Sequence, residues 1–158
     1  LFSIFTCTYK TSNKMFDRLY ESLCAQTYKN WNWFIIDDSP NGDTADRISK
    51  KFDPRITIVR NITNHGNIGF NKKAIAMMCD GDYLVEIDHD DELTTDCFSK
   101  LYECFELSNA DFVYSDALEY IDGNSINYGD YFSYGQGYYR EEVVKGRKYV
   151  LPVIAGVP

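Results

Sequence analysis

The sequence is poor in the residues that build metal cages and cross-links. Its only two histidines, His65 and His89, do not stand at zinc-ligand spacing from any cysteine pair. The five cysteines, Cys7, Cys24, Cys79, Cys97 and Cys104, include no Cys-x-x-Cys and are odd in number. That argues against a disulfide framework and reads as reduced, mostly buried thiols of an intracellular, cytoplasmic protein. No apolar run reaches the roughly 20 residues that cross a bilayer, and the N-terminal stretch lacks the basic start and small-residue cleavage pattern of a signal peptide. Basic blocks are missing too. The net charge is −8 with the two signs interspersed, so no face is suited to neutralising a phosphate backbone and nucleic acid is not the expected partner.

What is present is an ordinary globular composition: 158 residues, 44% of them hydrophobic, enough for about one domain. The chain starts at Leu1 without a methionine and ends on the apolar "LPVIAGVP". Natural termini are usually polar and frayed, so a piece of a longer protein is expected.

Hydrophobic periodicity gives an alternating order of elements. "LFSIFTCT" reads as a buried strand, Phe16, Leu19, Tyr20 and Leu23 recur at helical spacing, and "WNWFIID" is a second strand. Ala45, Ile48 and Phe52 predict a short helix before Pro54, and "ITIV" a third strand. A helix near residues 71–78 carrying Ile75 and Met78, an Asp80-Gly81 turn and the strand "YLVEI" follow. Thr95 is the expected N-cap of a helix with Phe98, Leu101 and Phe105 on its apolar face, and "FVYS" is expected as a fifth strand. Strands alternating with helices require crossover connections, hence an α/β fold with a mainly parallel sheet flanked by helices. After Ser115 the rhythm changes: "ALEYIDGNSINY" predicts a small hairpin turning at Asp122-Gly123-Asn124, and the Tyr/Gly-rich stretch 129–146 predicts irregular structure. The expected division is a core at 1–121 and a C-terminal part at 122–158.

Open parallel sheets bind ligands beyond the carboxyl ends of their strands, and two acidic clusters fall there. Asp37 and Asp38 close the second strand. They read either as acceptors for the base or ribose of a nucleotide or as caps on the following helix. Asp88, Asp90, Asp91 and Glu92 follow the fourth. Carboxylates this close repel one another unless a cation or donors compensate. A divalent metal on Asp88 and Asp90 would do so, with waters or phosphates completing its shell; a solvated helix N-terminus is the other reading, favoured for Asp91 and Glu92. An EF-hand fails, because Leu93 stands where glycine is needed and Ser99 where a bidentate glutamate is needed. "NHGNIGFNKKA" is a glycine-bearing loop leading to a helix that opens with Lys72 and Lys73, whose amides and lysines could meet phosphate oxygens; it is neither a P-loop nor a GxGxxG fingerprint, and a surface position is the favoured reading for His65 and both lysines. His89 is expected to point away from its acidic neighbours. The ring-rich set from Tyr128 to Tyr139 suits sugar faces on a mobile loop or simple packing.

"TCTYK", "CAQTYKNW", "FIIDDSPNGDT", "NHGNIGFNKKAIAMMCDGDYLVEIDHDDEL" and "FVYSD", in that order over residues 2–121, resemble glycosyltransferase family 2. The resemblance implies a GT-A fold, a nucleotide-sugar donor with UDP favoured, a hydroxyl acceptor such as a glycan, and Mn2+ or Mg2+ bound by a DXD motif. Carried over, Asp88 and Asp90 match the DXD, with Asp90 the direct metal ligand. Asp38 matches the position that contacts uracil, and Cys7, Thr8 and Tyr9 match the segment lining the nucleotide. Two departures stand out: Phe70 replaces an arginine common before the residue that Asn71 matches, and no residue matches the family's catalytic base. Asp116, after "FVYS", is the candidate near the donor sugar. A non-catalytic module binding nucleotide-sugars or glycans is the alternative. A nucleotidyltransferase is a weaker one, because "TCTYKTSN" lacks the glycine-rich loop such enzymes place there.

Overall fold

The computed structural model describes the chain apart from residues 62, 65, 109, 116–117, 122–123, 128–138, 145–146 and 153–158. The chain divides into two compact units, Leu1–Asn109 and Ala110–Pro158. The first is built on a four-stranded, all-parallel sheet in the order β3-β2-β1-β4, from β1 (Phe2–Thr8), β2 (Trp31–Asp37), β3 (Ile56–Arg60) and β4 (Tyr83–Glu86). This is the α/β architecture expected from the alternation. The second holds two antiparallel hairpins, β5 (Leu118–Ile121) with β6 (Asn124–Asn127) and β7 (Tyr139–Val144) with β8 (Arg147–Pro152). The first hairpin is the one predicted, although its turn residues 122–123 lie outside the described residues.

β1 is buried along its whole length, as a central strand covered on both faces must be. Successive side chains of a strand point to opposite faces. Phe2 and Ile4 of β1, with Trp31, Trp33 and Ile35 of β2, share one core with Phe16, Leu19 and Leu23 of α1 (Asn13–Cys24), Ile48 of α2 (Asp43–Ser49) and Phe98 of α4 (Cys97–Ser108). Phe5, Cys7, Phe34 and Ile36 share a smaller core with Ile75 of α3 (Ile68–Ala76). Three helices therefore cover one face and α3 covers the other.

The caps follow the local sequence. Ser12 accepts a hydrogen bond from Met15 N at the start of α1, and Asn67 does the same for Phe70 N at the start of α3. α2 is entered through Gly42 at φ 67°, a left-handed backbone that glycine adopts without a Cβ penalty.

Several expectations change. Phe52 is 89% exposed with φ 51°, beyond the end of α2, because the chain must reverse into β3. Met78 is half exposed beyond α3, leaving Ile75 to fill the core. α4 begins at Cys97 rather than behind a Thr95 cap. "FVYS" forms no strand, since a β-prone run becomes one only beside a partner that takes its ladder bonds. Residues 139–144 and 147–152 pair as a hairpin where irregular structure was expected. All five cysteines are free, but only Cys7 is buried and Cys104 is exposed. Among the described residues no helix is long and apolar enough to cross a membrane.

The turn into β4 is tightly packed against β1. Gly81 N donates to Ser3 Oγ at 2.8 Å, and a Cβ on Gly81 would stand 2.7 Å from Leu1 O and 2.8 Å from Ser3 N. Those are backbone atoms fixed by the sheet. Gly81→Ala is expected to destabilise the fold by about 1–3 kcal/mol, the usual cost of overpacking, read as a lower denaturant midpoint with an unchanged slope.

Candidate functional site

The carboxyl ends of β1, β2 and β4 meet on the α3 side of the sheet, and strand alternation decides which side chains arrive there. Asp37, in step with Trp33 and Ile35, turns toward α2. It is fully buried, its Oδ1 accepting from Thr8 Oγ1 and Ser39 N, both at 3.1 Å, and its Oδ2 from Ala45 N at 2.8 Å. Asp37 thus caps α2, the second of its two readings. Thr8 is buried with it, its hydroxyl committed to Asp37 and to Ile36 O.

Asp38 engages a different partner set. Its Oδ1 accepts from Asn61 Nδ2 at 2.6 Å, and the same amide donates to Asn71 Oδ1 of α3 at 3.0 Å. Asn71 is itself buried. The uracil-matching aspartate is therefore tied through Asn61 to the helix on that face. Tyr9 lies one residue beyond β1, with a ring 44% exposed and Lys10 Nζ 5.1 Å from its centroid.

On β4, Tyr83, Val85 and Ile87 join the larger core, which leaves Glu86 and Asp88 to the α3 side. Lys72 of α3 bridges them: its ammonium lies 2.5 Å from Glu86 Oε1 and 3.0 Å from Asp88 Oδ1. The hydrogen bond to Glu86, with that to Asp88, pushes the Lys72 pKa up to about 12, so it is a permanent cation here. Lys72 is thus held at the acidic cluster from the helix expected there, rather than standing free on the surface. Its position three residues before the buried Ile75, on the same helix face, is the signal that could have identified it.

Cys7 sits among these charges. Burial raises its thiol to about 11, and Lys72, Glu86, Asp88 and Asp38 all act on it electrostatically. Its thiol is thus held neutral beside the strand ends.

Asp88 to Asp91 form a turn closed by Asp91 N donating to Asp88 O at 3.3 Å. Asp88, Asp90 and Asp91 are all exposed on it, and partial desolvation, followed by the charges of Asp90 and Asp88, raises the Asp91 carboxyl. Glu92 pairs with Arg18 of α1. His89 has a buried Nδ1 without a hydrogen-bond partner. Asp116 and His65 lie outside the described residues.

The donor set of this turn fits a small hard cation. Among the described residues no three His, Cys, Asp or Glu side chains are grouped to hold a metal by themselves. Two exposed carboxylates without a closed cage are what Mg2+ or Mn2+ uses when waters and substrate phosphates complete the shell. Asp88 already receives a positive charge at 3.0 Å, that of Lys72.

The segment after the turn is held by Gln26, which is fully buried. Its amide donates to Thr94 O at 2.7 Å and to Ser22 O at 3.1 Å, and its Oε1 accepts from Phe98 N at 3.0 Å in the first turn of α4. Thr27 N adds a bond to Thr95 O at 2.8 Å. Gln26 therefore does the capping expected of Thr95. A separate cavity of about 350 Å³ opens between the loops after β1 and β2, with Lys10, Thr11, Ser39, Asn41, Thr44 and Arg47 in its walls.

The fold and this arrangement of carboxylates define a class. The chain belongs to glycosyl transferase family 2, which it matches over residues 3–156. It is 33% identical over 116 residues to the UDP-Glc:alpha-D-GlcNAc-diphosphoundecaprenol beta-1,3-glucosyltransferase WfaP of Escherichia coli, covering 73% of this chain and 45% of that one. Among solved structures it resembles S. aureus TarS 1–349 in complex with UDP-GlcNAc, at 16% identity and a TM-score of 0.63, over 79% of this chain and 36% of that one. It also resembles the mannosyltransferase PcManGT of Pyrobaculum calidifontis in complex with GDP-Man and Mn2+, at 17% identity and a TM-score of 0.54, over 66% and 32%. The chain thus spans less than half the length of each of these relatives.

The Gln26 clamp can be tested directly. Gln26→Ala leaves Thr94 O and Phe98 N without their partner, at about 1–3 kcal/mol for each buried group. The expected outcome is a loss of stability near 3 kcal/mol in denaturant unfolding and faster hydrogen exchange at the Phe98 amide.

Proposed function

We propose that this chain is the donor-binding core of a glycosyltransferase that moves a sugar, with inversion, from a UDP-sugar to a hydroxyl of a glycan or other acceptor, using Mn2+ or Mg2+ held by Asp88 and Asp90. The observation that carries this reading is the convergence of Asp38 and Asp88 with α3, around Cys7, at the carboxyl ends of β2 and β4. The names of the relatives support it: one uses UDP-Glc, and two are solved with UDP-GlcNAc or with GDP-Man and Mn2+.

In this reading Tyr9 offers a ring face to the base, and Asp38, oriented by Asn61 and Asn71, accepts a hydrogen bond from it. Thr8 acts one step removed, by holding Asp37 and through it the start of α2. The metal would supply neutralisation of the charge that develops on the departing diphosphate. A general base must deprotonate the acceptor hydroxyl as it attacks the anomeric carbon, a contribution of about 10²–10⁴-fold. Asp116 is the first residue to test for proximity to the donor sugar. A cytoplasmic location belongs to the same proposal, supported by the free cysteines.

Calorimetry with UDP, pyrophosphate and Mn2+ tests the assignment. Asp38→Ala is expected to weaken UDP binding by about tenfold, the scale of one hydrogen bond to a charged group, and to leave pyrophosphate binding unchanged. Asp90→Asn, or chelation of the metal, is expected to abolish Mn2+-dependent nucleotide binding with the fold intact. Equal losses of UDP and pyrophosphate in Asp38→Ala would remove Asp38 from the base site, and Mn2+-dependent binding surviving in Asp90→Asn would remove the metal role. Release of sugar from a UDP-sugar, dependent on Mn2+, separates the enzyme from a non-catalytic binding module.

A further inference from the structure

The strand ends on the α3 side crowd Asp38, Glu86 and Asp88 together, with Asp90 and Asp91 on the turn that follows. Against these stands Lys72, bonded to Glu86 and Asp88 at once. It is not a freely swinging surface lysine. Its side chain is 25% exposed, and its helix is anchored by Asn71 on one side and Ile75 on the other, both buried. Glu86 and Asp88 stand about half exposed on the same side of β4, at 49% and 52%.

We infer that Lys72 is a resident counter-cation that holds Asp88 while the metal site is empty and yields it when a divalent cation binds, keeping Glu86 as its partner. The inference rests on the reading of Asp88 as a metal ligand. Its physical basis is the pair of hydrogen bonds that the one ammonium donates, to Glu86 and to Asp88. With Asp88 as its only partner, an ammonium displaced by a metal would be left against a dication without compensation, on a side chain only 25% exposed. Glu86 removes that penalty, because Lys72 stays paired throughout. A flexible four-carbon stem carrying a compact charge suits this exchange better than a planar guanidinium fork would. Lys72 is then a positioning residue: it keeps Asp88 turned toward the α3 side before metal arrives, and it weakens the first binding of the metal by competing for the same carboxylate.

The test is Mn2+ affinity of the nucleotide-free protein, measured by calorimetry and by the loss of the free-Mn2+ electron paramagnetic resonance signal. Lys72→Met is expected to bind Mn2+ about three- to tenfold more tightly, the range set by removing one partly screened charge beside the ion. Lys72→Arg, which keeps the charge, is expected to stay within about twofold of the parent on the same electrostatic ground. Glu86→Gln, which leaves Asp88 as the only carboxylate for Lys72, is expected to bind Mn2+ more weakly. Unfolding temperatures of each variant confirm that the protein assayed is folded. Unchanged or weaker Mn2+ binding in Lys72→Met, with Asp88→Asn abolishing it, would overturn the counter-cation role alone. Mn2+ binding that survives Asp88→Asn would overturn the metal-ligand reading, and this inference with it.

Discussion

The hydroxyl of Thr6 ties β1, β2 and the end of β4 together directly beneath the site. It accepts from Trp33 Nε1 of β2 at 2.9 Å and donates to Ile87 O at 2.8 Å, just past the end of β4, and the whole relay is buried. The ladder between β1 and β4 ends at Glu86, apart from one further bond from Ile87 N to Phe5 O at 3.2 Å. Thr6 therefore fixes the last carbonyl before Asp88 leaves the sheet. Phe16 stacks on Trp33 at 5.3 Å, so the indole that donates to Thr6 is itself clamped by α1. A threonine suits the role because its hydroxyl donates and accepts at once while its methyl packs in the core.

From that fixed point the pleat distributes the acidic residues. Asp37 and Asp38 are adjacent in sequence and have different duties because neighbouring residues leave a strand on opposite sides. One is consumed in capping α2, and the other is held by Asn61 and Asn71 on the α3 side. The same alternation sends Ile87 into the core and sets Glu86 and Asp88 against Lys72. A one-residue slip of β4 would bury those carboxylates and expose Tyr83, Val85 and Ile87, so the register of the sheet and the chemistry of the site are one constraint.

Much of this was legible from local pattern. The buried strands, α1 with Phe16, Leu19 and Leu23, and the acidic strand ends follow from periodicity and strand order, and the ordered motifs identify the family. Features that depend on distant partners were not legible. Gln26 looks like a polar residue after a helix, yet its bonds reach Thr94 and Phe98, far along the chain. Lys72 reads as a surface residue at the opening of its helix, and only the docking of α3 against β1 and β2 brings it to Glu86 and Asp88. "FVYS" has the composition of a strand, but composition cannot supply a pairing partner. For residues 139–144 the reverse held: they lie in a Tyr/Gly-rich stretch without a clear period, and their strand rests on cross-strand pairing with residues 147–152.

The position of α3 can now be understood as an electrostatic requirement as much as a packing one. Burying Ile75 against Phe5, Cys7, Phe34 and Ile36 would be satisfied by many helices of similar apolar face. The same helix also delivers Asn71 to the network of Asp38 and Lys72 to Glu86 and Asp88, and these three acids belong to strand ends that would otherwise repel one another. Residues 71, 72 and 75 fall within little more than one turn, so a rotation that kept Ile75 buried but moved Lys72 away from Glu86 and Asp88 is not available to a regular helix. The carboxylates at these strand ends thus stand side by side because the helix that closes the core beside them carries a cation of its own.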